Sequence, residues 1–208
     1  MLIAHTSAWG HHERFYIDFT YYRQVKGDLE KSAQICEAWI QSYPRDHRPH
    51  GFLSGSVSFE VGKFERVIEE GQKAIAMDPD TPFSWDHFAG AYVLLDKLPE
   101  AKAFLHKVAE RKIEIPEMLI WRYQVAFLEN DRQELMRLTE AGYKRSPTFC
   151  EQEAHVVAYA GQLRRARALS ARGVDLARQG GRVERAAQDQ AGSAIRESLF
   201  GNAVEARR

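Results

Sequence analysis

The 208-residue sequence is poor in cysteine, having Cys36 and Cys150 alone, and it carries no net charge, Lys plus Arg and Asp plus Glu numbering 29 each. The two cysteines lie far apart in apolar-patterned stretches. That placement reads as a pair of reduced core thiols in a cytosolic protein rather than a disulfide framework. The balanced charge offers no overall field to draw the chain to nucleic acid or to an anionic membrane. Long apolar runs are missing as well. Ala91–Leu95 is about five residues, far short of the ~20 that a membrane-spanning helix needs. Met1–Ala4 is too short for the apolar region of a secretory signal and lacks a basic start, so the expected compartment is the cytoplasm. No stretch alternates as a strand does, and an all-α fold is expected.

Catalytic motifs are equally scarce. Gly51-Phe52-Leu53-Ser54-Gly55-Ser56 lacks the lysine and the preceding strand of a phosphate loop, and lacks the strand–turn–helix setting of a nucleophile elbow. His11-His12-Glu13 and His47 with His50 are the metal-like groups, but no third ligand is spaced for tetrahedral zinc. They read as solvated loop clusters, and Glu69-Glu70 and Glu151 with Glu153 as solvated charges. His87 and His106 have no nucleophile placed between them. No enzyme, metal or cofactor is expected.

What the chain does have is a period. Gly62-Lys63-Phe64-Glu65 opens a run ending in Met77-Asp78-Pro79; 34 residues after Gly62 stands Asp96, and 34 further on Asn130. Gly27 to Pro44, Gly62 to Pro79 and Asn130 to Pro147 each span 17 residues. A repeat of about 34 residues, each unit two helices long, is the signature of a tetratricopeptide repeat (TPR) array. The expected fold is therefore an all-α, right-handed α-solenoid. An irregular lead-in covers 1–12; five repeats cover about 13–46, 48–81, 82–115, 116–146 and 147–180; capping helices cover 181–208. Asp28 is placed to cap the second helix of the first repeat, and Pro82, Pro99 and Pro116 sit at helix starts, where a missing N–H costs nothing. Gly51, Ser54, Gly55, Ser56 and Ser58 make one helix unusually rich in small residues. Glycine there costs roughly 0.5–1 kcal/mol relative to alanine, and close approach of a neighbouring helix is the expected compensation.

The third repeat carries the family pattern most fully, with Trp85, Phe88, Ala89 and Tyr92, then Ala101, Leu105 and Val108. A narrower likeness also runs through Phe15-Tyr16-Ile17-Asp18, Tyr21-Tyr22, Tyr43-Pro44-Arg45-Asp46, Tyr159-Ala160-Gly161 and Leu199-Phe200-Gly201-Asn202. These stretches resemble the TPR region of large bacterial regulators of acidobacterial type. In that group the repeats follow a serine/threonine kinase domain or a winged-helix DNA-binding domain. The resemblance implies a non-catalytic scaffold or sensor in a signalling system, binding a protein or peptide partner.

In TPR proteins the first helix of each repeat lines a concave groove. Carried over to this sequence, the ligand-facing residues are Ile17, Tyr21 and Gln24; Phe52, Ser56 and Phe59; Phe83, Asp86 and Gly90; Ile120, Gln124 and Phe127; and Glu151 and His155. The set is aromatic and nearly neutral. It lacks the Lys and Asn pattern that clamps a terminal carboxylate, and suits an apolar peptide held by a few buried anchors. The alternatives are that Phe52, Phe59 and Phe127 simply pack, or that the terminal helices fold back over the groove. A second candidate surface is the arginine-rich end. From Gly161 onward there are ten arginines, no lysine and five acidic residues, a net +5, so the residues before it carry −5. Arg164, Arg165, Arg167 and Arg172 would form its basic patch. It suits homotypic or intramolecular docking on an acidic half better than nucleic acid, since no aromatic is interleaved.

Overall fold

The computed structural model describes residues 10–80, 82–113, 115–145 and 148–202. Among them eleven helices follow one another, and the described residues contain no strand. They are α1 (His11–Thr20, running on as a π-helical turn Tyr21–Lys26), α2 (Leu29–Ser42), α3 (Arg48–Gly51, running on as π-helix Phe52–Phe59) and α4 (Phe64–Met77). Then come α5 (Pro82–Leu94), α6 (Leu98–Glu110), α7 (Pro116–Leu128) and α8 (Arg132–Arg145). The last three are α9 (Thr148–Tyr159), α10 (Leu163–Gln179) and α11 (Val183–Leu199). The chain divides into two compact units, Met1–Glu114 with α1 to α6 and Ile115–Arg208 with α7 to α11.

The turns explain the period. Gly27, Gly62, Asp96, Asn130 and Gly161, the residues that mark the repeat in the sequence, all have positive φ. At Gly62 (φ 72°) the N–H of Lys63 donates to Ser58 O at 2.8 Å and that of Gly62 to Phe59 O at 3.2 Å. These are the paired bonds of a Schellman cap, which satisfies the last carbonyls of a helix and reverses the chain. The same pair of bonds recurs at Asp96, Asn130, Gly161, Gly181 and Gly201. Helix starts behave as expected at α2, where Asp28 Oδ1 accepts from Lys31 N–H at 2.8 Å, and Asp131 does the same for Glu134 at 3.0 Å.

Each unit is packed locally, pair against pair. Phe19, Cys36, Leu53 and Val57 form one cluster in the first unit. Ile120, Tyr123, Ala126, Leu138 and Phe149 form another in the second, followed by Ala154, Val157, Ala158, Ala166 and Leu169 and then by Val174, Ala177 and Ala186. Such successive small cores are what a repeat array provides in place of one centre. The small residues of α3 serve the close approach expected of them. A Cβ on Gly55 would lie 2.7 Å from His87 Nδ1, so α5 packs where no larger residue fits.

One feature departs from expectation: the π-helical stretches in α1 and α3 are not foreseen by a regular repeat. Of the capping helices expected over 181–208, α11 covers 183–199, and 203–208 lie outside the described residues.

Candidate partner-binding surfaces

On the first unit, Ile17 and Tyr21 are 40% and 38% exposed on α1, followed at the same spacing by Val25 at 70%. Gln24 is exposed beside them. These side chains form an i, i+4 row on a helix whose backbone is internally bonded, so the row has surface to offer a partner. Arg23 ties α1 to α3 behind it, its Nε donating to Ser56 O at 3.1 Å and its Nη2 to Glu60. The second repeat contributes less than counting implies. Ser56 is buried. Phe52 is half-buried, stacked on Phe19 with centroids 4.7 Å apart. Phe59 is half-buried, edge-on to Phe64 at 5.6 Å and to His87 at 5.2 Å. Asp86 is half-buried on α5 and Gly90 buried. The side chain of Phe83 lies outside the described residues.

On the second unit, Ile120 is buried in the α7–α9 core. Gln124 is half-buried, its Nε2 donating to Gln152 Oε1 at 3.1 Å. Phe127 is half-buried and edge-on to Tyr159 at 5.6 Å, and Tyr159 itself is 81% exposed. His155 is exposed, with Nδ1 against Glu151 O at 2.7 Å. Phe83 apart, the predicted residues thus sort into an exposed group (Ile17, Tyr21, Gln24, His155), a half-buried group and the buried Ser56, Gly90, Ile120 and Glu151.

At the arginine-rich end Arg164, Arg165, Arg172, Arg178 and Arg182 are exposed, but several arginines there reach buried carboxylates. Arg165 Nη2 reaches Glu153 Oε1 at 2.7 Å, and Arg167 grips Glu197 with Nε and Nη2 at 3.0 and 2.7 Å. That fork holds the Glu197 carboxyl below the usual carboxylate range. Arg196 on α11 joins Glu151 at 2.5 Å and Ser170 Oγ at 2.5 Å. Arg172 is engaged as well, while Arg164 stands exposed at the start of α10.

Three expectations about charge therefore need correcting. Glu151 and Glu153 are buried rather than solvated, because α10 and α11 bring arginines to them. Glu70 is buried too, and His50 Nδ1 lies 2.6 Å from its Oε2. His50 accordingly belongs to the core rather than to a solvated loop. Lys73 completes that pair at 3.0 Å. His12, in turn, joins Asp46 at 2.5 Å. Among the described residues no group of three or more His, Cys, Asp or Glu could hold a metal ion. Burial pushes the Cys36 thiol up to about 12 and raises that of Cys150, so neither supplies a thiolate at neutral pH.

No family model and no curated protein sequence matches this chain. Solved structures do. A thermophilic TPR protein of Thermus thermophilus is 16% identical, with 86% of this chain and 98% of that one covered at a TM-score of 0.63. PilW, a type IV pilus biogenesis factor, is 14% identical over 96% and 90%, with a TM-score of 0.64. YrrB, a TPR protein with an unusual peptide-binding site, is 15% identical over 84% and 88%, with a TM-score of 0.51. The fold is that of the TPR α-solenoids.

Proposed function

We propose that this chain is a non-catalytic interaction module that binds an apolar peptide segment of a partner protein on the first-helix faces of its repeats, as the regulatory part of a signalling system. The observation that carries the reading is the exposed row Ile17, Tyr21 and Val25 on α1. An apolar row of this kind on a surface helix suits the burial of a partner's anchor residues. The π-helical turn Tyr21–Lys26 carries Tyr21 and Val25 of this row, and such turns are frequent at functional sites. Engagement of Arg165 and Arg167 by buried carboxylates favours this face over the arginine-rich end.

The test is capture of partners from the host lysate by wild type and by an Ile17→Ser/Tyr21→Ser variant, followed by titration of the partner recovered. Both residues are exposed, so the variant is expected to fold as wild type does and to bind at least about tenfold more weakly, the effect of losing roughly 1.4 kcal/mol. Equal affinity of the two proteins for every captured partner rejects the assignment.

A further inference from the structure

A cleft of about 520 Å³ opens between α4 and α6 against one side of α5. Beneath it lie the buried rings of Trp85 and Phe88, and the half-buried Phe104, Tyr92 and Ile75 give the cleft its accessible apolar surface. Trp85 stacks on Phe104 at 5.3 Å, and Phe88 lies 4.5 Å from the same ring. Ile75 and Pro79 form one wall, and Pro79 O accepts from Trp85 Nε1–H at 3.0 Å, which fixes the indole. The volume falls within the range of roughly 300–1,000 Å³ typical of ligand sites.

The rim carries uncompensated charge. Lys107 Nζ stands 5.9 Å from the Trp85 ring centroid and Arg111 Cζ 5.3 Å, one turn apart on α6 and both exposed. Like charges at this spacing repel. Neither makes an ion pair among the described residues; the Glu110 carboxylate, beside Arg111 in sequence, lies 3.5 Å from His106 Nδ1. Both cations rest against the indole ring, whose negative face attracts them.

We propose that this cleft is a second binding site, for a partner peptide that carries a large apolar side chain next to a carboxylate. The apolar side chain packs against the half-buried Phe104, Tyr92 and Ile75. The carboxylate seats between Lys107 and Arg111, accepts charge-assisted hydrogen bonds from both and relieves their repulsion. Gln72, exposed on the α4 rim, offers the donor and acceptor pair that matches a peptide unit and finds nothing to bond in an alkyl chain. The site lies between the second helices α4 and α6 against α5 and shares no residue with the row on α1, so it extends the interaction reading rather than depending on it.

Indole N–H resonances test the proposal, with the Trp85 signal assigned by Trp85→Phe. The probe is the blocked tetrapeptide acetyl-Gly-Phe-Asp-Gly amide, compared with its Asn analogue and with laurate. The Asp peptide is expected to move the Trp85 resonance and the Asn peptide to bind about tenfold more weakly or less well still. Lys107→Gln/Arg111→Gln is expected to abolish that discrimination with unchanged circular dichroism, whereas Tyr21→Ser keeps it. A Trp85 resonance unmoved at millimolar peptide, or Asp and Asn peptides binding alike, overturns the proposal. Laurate moving the signal where the peptide does not overturns the peptide as ligand.

Discussion

Replacing Arg196 by methionine asks whether α11 is held by charge. Arg196 is 3% exposed; its guanidinium meets Glu151 at 2.5 Å, Ser170 Oγ at 2.5 Å and Ser193 Oγ at 3.1 Å. Apolar burial contributes little there. Of the buried residues of α11, Ala186 is apolar while Asp189, Arg196 and Glu197 are charged, and Val183, Ile195 and Leu199 face outward. Methionine leaves the Glu151 carboxylate buried with the Ser170 hydroxyl as its remaining side-chain donor. Removing one partner of a buried pair costs about 3–5 kcal/mol. At roughly 2–4 °C per kcal/mol for a chain of this size, cooperative melting would fall by about 6–20 °C. Repeat arrays unfold through nearest-neighbour interfaces, so the loss should concentrate in faster amide exchange over 183–199. Glu151→Leu/Arg196→Met should regain at least half of the loss, because a buried pair replaced by apolar residues is often neutral. The unpartnered Arg196 Nε points the same way. A single variant that melts and exchanges as wild type does would refute the charge-held interface.

Two further outcomes follow from packing and titration. A Cβ on Gly142 would lie 2.4 Å from atoms of the fully buried Phe149 ring. Overpacking of about 1–3 kcal/mol should therefore outweigh the ~1 kcal/mol of helix propensity gained by Gly142→Ala, lowering the urea midpoint. At Glu70, burial pushes the carboxyl up, but hydrogen bonds from His50 and Lys73 outweigh it and hold the group below its ordinary 4.5. A depressed folded-state value gives stability that is present above the ordinary carboxylate range and is lost as pH falls through the folded value. Glu70→Gln should thus cost about 1–3 kcal/mol at neutral pH and flatten the acid limb of a stability–pH curve below pH 5. An acid limb identical to that of wild type would assign the dependence to other carboxylates.

The fold was legible because its signals are local. A residue that tolerates positive φ closes the first helix of each repeat, at Gly27, Gly62, Asp96, Asn130 and Gly161, and prolines open others. The same locality hides the buried charges. Glu151 is paired with a residue 45 positions away, and Glu70, besides the local Lys73, is bonded to His50 20 positions away, and nothing around either glutamate announces the distant partner. The exposed part of the candidate face was legible at Ile17 and Tyr21. Phe52 was not, because an aromatic in a first helix reads alike whether it meets a ligand or, as here, Phe19.

The second repeat fails for a reason that can be counted. Pro44 to Gly62 is 18 residues, whereas Pro79 to Asp96 is 17. Counting forward from Pro44 puts Gly51 and Gly55 at the places of Asp86 and Gly90; counting back from Gly62 puts Phe52 and Ser56 there. One residue of disagreement is about 100° of helix rotation, so sequence spacing alone leaves the outward face of α3 undecided. The backbone absorbs the extra residue as the π-helical run Phe52–Phe59, where each hydrogen bond spans one residue more than in an α-helix. Gly51, Gly55 and Ser56 are buried as a result, and Phe52 is half-buried against α1. The proposed first-helix contact on the first unit accordingly rests on α1, which is why the binding test changes Ile17 and Tyr21 rather than a phenylalanine of the second repeat.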